Sequence, residues 1–479
     1  MKKLTSFCIA TLLVCALQAQ QKQPANNQPI GVFDSGTGGL TVLNALLTLD
    51  YFNNTTGEPL PDGKSDFEKE YFQYLADQAN MPYGNYAAEN KTDLLQEHIL
   101  KNVDFLTGTY YSLQKNNQWK TNNKPNVKMI VVACNTATAY ALPQIKAYLQ
   151  KRPGDIPCIG VIDAGAKAAL QWQQKNNQPG AIAVFATAGT VASDGYPKTI
   201  RGFAAQMGIA APAIISQGGV GLAESIDRDW AYFVDTLNTL RTTGYKGPAV
   251  SSKELPIDTS LFSIYNFNRS GNKLLCEYDD KGACLDMQLN DPGNYVRYHL
   301  VGLLEKMLRH PSSQKMNTLI LGCTHYPFMK DTIRVVLNEL YQYAANGEYR
   351  YRSVLAPYVE LIDPAVETAK EAWLALRRQH LQNQSKKRAT SFYISVPNTT
   401  LPEVQLQADG WFSYQYKYGR MAGANKTYVK MVPFDNNNIS AATYQRFKQT
   451  IPVVYDAIVN NFGQALPRPK PVKNIQLVN

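Results

Sequence analysis

KMIVVACNTATAY, residues 128–140, and its distant echo NTLILGCTHYP, residues 317–327, decide how the rest of the chain is read. In each, a short apolar run rich in Val, Ile or Leu leads straight into Cys and then into hydroxyl or amide side chains. Such a run, bounded by polar residues, predicts a buried parallel strand. Open α/β sheets bind ligands in the crevice beyond the carboxyl ends of their strands, so Cys134 and Cys323 are expected at the lip of one cleft. Two thiols facing one cleft suggest a proton acceptor and a proton donor.

Working outward, residues 29–33 predict a first strand that ends in Asp34-Ser35-Gly36-Thr37-Gly38-Gly39 and feeds a helix over 40–47. This is not a phosphate loop: it has no Gly-Lys-Ser/Thr ending, and Thr41 stands where a GxGxxG fingerprint needs its third Gly. What remains is a turn whose backbone N–H groups and helix N-terminus favour an anion such as a carboxylate. Residues 181–190, AIAVFATAGT, repeat that grammar. The chain thus holds two strand-to-loop units and two strand-to-Cys units, the content of two facing α/β domains with mostly parallel sheets and a site between them. Further strands are expected at 71–77, 159–162 and 359–364, and helices at 87–105, 165–173, 295–308, 365–378 and 444–462. A helix after Cys134 is expected to be interrupted near Pro143. Residues 228–295 are polar, rich in Gly, Asn and Asp, and read as an insertion.

At 479 residues, 44% of them apolar, the chain is too long for one ordinary domain. The net charge of +10 is spread thinly. Without a block of like charges, an arginine-rich helix or an aromatic platform, nothing local supports nucleic-acid binding. Met1-Lys2-Lys3, an apolar stretch over 4–17 and Gln18-Ala19-Gln20 read as an export signal cleaved after Ala19, followed by a disordered polar tether over 20–28. The apolar stretch is shorter than the roughly 20 residues of a spanning helix, and Val14 argues against Cys15 as a lipid-anchored residue. A periplasmic or secreted protein without a stable membrane span is expected.

Beyond the signal, Cys134, Cys158, Cys276, Cys284 and Cys323 remain. Cys276 and Cys284, close together in the polar insertion, are the plausible disulfide in an oxidising compartment. No CxxC or His-rich spacing suggests zinc, and neither a metal nor another cofactor is expected. A thiol, with an ordinary pKa of about 8.5, can take a proton from the α-carbon of an amino acid only as a thiolate held in a water-poor site. Two thiols on opposite faces of that carbon let one remove the proton and the other return it from the far side. Each thiol is followed by hydrogen-bonding groups, Asn135-Thr136 and Thr324-His325, and His325 and Asp34 could tune Cys323 and Cys134 respectively.

These residues resemble the glutamate racemases of the cofactor-independent aspartate/glutamate racemase group. IGVFDSGTGGLTVL is similar to their opening motif, ADQANMPYG to their Asp-x-x-x-x-Pro-Tyr-Gly motif, and VVACNTATA and LILGCTHYP to their two cysteine motifs. CIGVIDAGAKAA, ATAGTVASDGY and LIDPAVETA also match, in family order, over most of residues 29–380. The resemblance implies that Cys134 and Cys323 are the acid/base pair. It implies that Asp34, Ser35, Tyr83, Gly84, Asn135, Thr136, Thr324 and His325 hold the substrate or assist the thiols, with Thr187, Thr190 and Glu224 as further cleft residues. It also implies one domain of residues 29–162 plus 329–479 and a second of 163–328. The 228–295 insertion and the extended tail depart from the family pattern, and the insertion could cover the cleft.

The family makes D-glutamate for peptidoglycan and hence for cell shape, ordinarily in the cytoplasm; an export signal departs from that. The expected partner is L- or D-glutamate, not nucleic acid, with a homodimer as an allowed assembly. Alternatives are an exported racemase for aspartate or another amino acid, and an envelope protein that binds amino acids without catalysis. The last hundred residues carry no readable role.

Overall fold

The computed structural model describes residues 26–462 apart from 116–117, 153, 283, 310–313, 386–387 and 425. The expected export signal, Cys15 and most of the tether lie outside those residues. Residues 26–28 are pinned to the fold where disorder is expected. Lys128 Nζ donates to the Asn26 carbonyl at 2.7 Å, and the Tyr71 hydroxyl to that of Asn27 at 2.8 Å.

Two parallel-dominated sheets carry the α/β architecture. The first runs in the order Val429–Pro433, Ser391–Pro397, Phe72–Ala76, Ile30–Asp34, Met129–Val132 and Cys158–Gly160, antiparallel only at its first pair. The second runs Leu355–Ile362, Met316–Gly322, Ala181–Ala186 and Ile214–Gly218, all parallel. Central strands are buried at every position because helices cover both faces. Alternation divides them: Val32 and Val131 face one core, Phe33 and Val132 another. Ile182 and Val184 of the second sheet join the core that holds Val32, so one apolar body runs beneath both sheets.

In each sheet the strand carrying a loop and the strand carrying a cysteine are neighbours. Phe33 is in register with Val132, and Ala186 with Gly322, so Asp34 and Cys134 leave the first sheet side by side, as Thr187 and Cys323 leave the second.

Several sequence expectations are corrected. The expected strand over 159–162 is only Cys158–Gly160, and the helix Val161–Lys175 starts at once, because Val161 and Ile162 bury as the first turn of that helix. The helix Asn135–Gln150 continues through Pro143. Its Tyr140 carbonyl, next to the Ala139 carbonyl that the proline leaves without its helical donor, also accepts from the Gln96 side chain at 2.8 Å. The closing helix is two helices, Ala441–Thr450 and Pro452–Phe462, broken where Pro452 follows Ile451.

The chain does not rejoin the first unit from residue 329. Helix Lys330–Gln342 is the crossover to a parallel neighbour of the Cys323 strand, so Leu355–Ile362 extends the second sheet and the first regains the chain at Ser391–Pro397. A hairpin, Tyr110–Lys115 with Gln118–Asn123, was not legible among its polar residues.

The 228–295 insertion contributes no lining residue to the cleft among those described. Ile257, Tyr265, Phe267, Leu274 and Met287 pack it against the outer core of the second sheet instead. Its hairpin, Leu274–Tyr278 with Cys284–Leu289, carries the expected Cys276–Cys284 disulfide.

Candidate active site

A cavity of about 1110 Å³ opens beyond the carboxyl ends of both sheets. All thirteen residues singled out from the sequence line it, with Cys134 and Cys323 among them. Both thiols are free and buried.

On the first side, Asp34 ends its strand and turns its carboxylate back on its own loop. The Gly39 N–H donates to Asp34 Oδ2 at 2.6 Å. A Cβ at Gly39 would lie 2.4 Å from that of Asp34, so only glycine permits the bond. The loop is held from below by the Tyr74 hydroxyl, which donates to the Gly36 carbonyl at 2.6 Å. Cys134 caps the helix that follows it, its sulfur accepting from the Ala137 N–H at 3.4 Å. Burial, then the neighbouring Asp34 charge, push the Cys134 thiol well up, and the hydrogen bonds it accepts from Ala137 and Ser35 do not reverse this. Burial likewise raises Asp34, against the hydrogen bond it receives from Cys134. This half of the site keeps its proton on sulfur.

The second side is of opposite character. The His325 Nδ1 lies 3.8 Å from the Cys323 sulfur, and its Nε2 lies 3.1 Å from Asp227 Oδ2. Burial alone would lower His325, but hydrogen bonds to Asp227 and Cys323 and their charges outweigh it and carry the imidazole up to about 10. Despite burial, the same His325 contact and Arg446 hold Asp227 below the usual carboxylate range. Arg446 reaches the other Asp227 oxygen, Oδ1, at 2.7 Å.

The remaining residues frame this pair. The Tyr196 hydroxyl donates to Asn135 Oδ1 at 3.0 Å and fixes that amide. Thr187 caps a short helix, accepting from the Thr190 N–H at 3.3 Å. Burial raises Glu224. Tyr83 lines the cavity, but its hydroxyl is committed to a buried network, donating to Asp77 Oδ2 at 2.5 Å and accepting from Asn102 at 2.8 Å. Gly84 and Gly189 meet across the cleft: a Cβ on Gly189 would lie 3.3 Å from the Gly84 Cα.

Sequence reasoning missed two kinds of lining residue. Asp227 sits three positions beyond Glu224, at the end of the short helix Leu222–Ile226, and that spacing was the available signal. Trp411, Asn438, Ile439, Ser440, Thr443 and Arg446 come from the C-terminal extension, which carries no motif.

Fold and site together define a class: an α/β isomerase whose cleft takes one thiol from each sheet. No family model matches the chain. It is 28% identical over 362 residues to the glutamate racemase of Oceanobacillus iheyensis, covering 75% of this chain and 83% of that one. It is 30% identical over 338 residues to the glutamate racemase of Streptococcus pneumoniae, covering 70% of this chain and 84% of the relative. The chain therefore belongs to the glutamate racemase family. Among solved structures, a glutamate racemase isoform of Bacillus anthracis aligns with a TM-score of 0.44 at 22% identity, over 77% of this chain and 88% of that one. The Francisella tularensis glutamate racemase in complex with D-glutamate aligns with a TM-score of 0.42 at 22% identity, over the same shares.

Proposed function

We propose that this protein interconverts L- and D-glutamate by two-thiol proton transfer at the α-carbon, without a cofactor. The observation that carries the reading is the cavity wall itself, to which Cys134 and Cys323 contribute from adjoining sheets, one beside the Asp34 carboxyl and the other beside the His325 imidazole. Cys134, with its proton held by burial and by Asp34, is suited to donate; Cys323, beside cationic His325, is suited to accept. After one turnover the proton inventory of the two sulfurs is exchanged, and the reverse reaction or solvent exchange restores it. The Asp34 loop, with its small residues and backbone N–H groups, suits a carboxylate.

Purified protein incubated with D-glutamate in heavy water is expected to exchange the α-hydrogen and lose optical rotation. Absence of exchange with glutamate, aspartate or any other amino acid would overturn the reading. Cys134→Ala and Cys323→Ala are each expected to abolish racemisation, and turnover surviving either change would exclude the two-base assignment.

Export is part of the same proposal, supported by the amino-terminal composition and by the Cys276–Cys284 disulfide, which suits an oxidising compartment. Supply of D-glutamate for peptidoglycan is proposed on the family resemblance.

A further inference from the structure

We propose that Arg446, carried by the C-terminal extension, is a positioning residue for the Cys323 half of the site: it clamps Asp227, which in turn holds His325 against the sulfur. The inference rests on the two-thiol reading and adds a component from the C-terminal extension, a segment that carries none of the family's motifs.

The two Asp227 oxygens are divided between two partners. Oδ1 meets Arg446 at 2.7 Å, and Oδ2 meets His325 Nε2 at 3.1 Å. With both oxygens engaged, the carboxylate has a single orientation, and the imidazole turns its Nδ1 toward the Cys323 sulfur at 3.8 Å and the Thr324 hydroxyl at 3.4 Å. Asp227 and Arg446 both line the cavity and are partly screened from solvent, with side chains 30% and 29% exposed. Glu224, also at the cavity wall, faces His325 electrostatically but makes no hydrogen bond to it, so orientation falls to Asp227.

The arm that delivers Arg446 is capped and packed into the core. Ser440 caps the helix Ala441–Thr450, accepting from the Thr443 N–H at 3.1 Å. Tyr444 and Phe447 bury in the core that contains Leu40, Leu43 and Leu46, and the next helix, Pro452–Phe462, packs on Leu40–Thr48, directly after the Asp34 loop. Arg446 is therefore fixed to the first sheet's side, whereas Asp227 and His325 follow strands of the second. The ion pair ties the two sides together across the cleft and makes the setting of His325 depend on their approach.

The test is to compare Arg446→Gln and Arg446→Lys with the unaltered full chain in two assays. One is α-hydrogen exchange of glutamate in heavy water. The other is alkylation of each active-site thiol by iodoacetamide at neutral pH without substrate, followed by peptide mass spectrometry. Arg446→Gln is expected to lower kcat by about tenfold or more with a smaller change in KM, since it misplaces a group that acts in the transition state. It is also expected to slow alkylation of Cys323 by a similar factor and leave Cys134 unchanged, because the clamp and a positive charge are both lost on that side only. Arg446→Lys, which restores a cation to Asp227, is expected to recover most of both.

Arg446→Met, retaining the aliphatic stem, is a second charge-free variant and must show the same selective loss. Equal effects on both thiols, or no effect on Cys323, would overturn the inference. Absence of exchange in the unaltered protein would instead defeat the racemase reading, while the alkylation assay still judged the clamp.

Discussion

At the scale of residues, the site is built from two thiols given opposite neighbours. Cys134 sits beside the Asp34 carboxyl and Cys323 beside the His325 imidazole, and the difference follows from what each strand delivers beyond its carboxyl end. His325 gives this a measurable consequence. Its folded value of about 10 lies above an unfolded value near 6.5. The stability this contributes is fully present below about pH 6.5 and is lost as pH rises through about 10. Urea unfolding across that range is expected to show a decline that His325→Gln flattens, whereas parallel curves for the two proteins would contradict the Asp227–His325 linkage. The thirteen expected residues all reach the cavity wall, and most were legible because they lie in or beside a motif near a strand end. Asp227 and Arg446 were not, since their role depends on a contact between side chains more than two hundred positions apart.

At the scale of elements, central strands were legible because full burial writes an unbroken apolar run, as in Met129–Val132. The errors fell where local pattern is ambiguous: Val161 and Ile162 read equally as strand end or helix start, and Leu355–Ile362 does not declare which sheet it joins. A buried ion pair shows how little such pairing appears in sequence. Lys128, at the entrance to the Cys134 strand, meets Glu70 at 2.7 Å with both side chains almost fully enclosed. Burial lowers Lys128 and raises Glu70 despite their attraction, so desolvation exceeds what the pair recovers. Lys128→Met is expected to cost about 3–5 kcal/mol in denaturant unfolding by leaving Glu70 buried without its cation. Lys128→Met combined with Glu70→Leu is expected to regain most of that loss. A double variant no better than the single one would show that the hydrogen bonds of Lys128 to the Asn26 and Leu381 carbonyls matter more than the charge.

At the scale of the whole molecule, two sheets share one apolar body and close over one cavity. The insertion that looked placed to cover the cleft packs away from it, and the tail without a motif supplies part of the wall. Composition could not separate these, because both segments are polar in sequence and differ only in which core their few apolar residues enter. The two sides approach closely at Gly84 and Gly189. Gly189→Val, whose branches exceed the space beside the Gly84 Cα, is expected to reduce kcat/KM by about tenfold or more with little change in thermal midpoint. Unchanged turnover would show that this approach is not needed for catalysis.

The central claim is that two single-proton acids act on opposite faces of one carbon, and the fate of the α-hydrogen tests it most directly. Starting from L-glutamate in heavy water and sampling early by NMR, the D-glutamate formed is expected to carry deuterium at the α-position while unreacted L-glutamate stays largely protonated. D-glutamate that retains the substrate's own proton would mean a single base serving both faces, and would contradict the account.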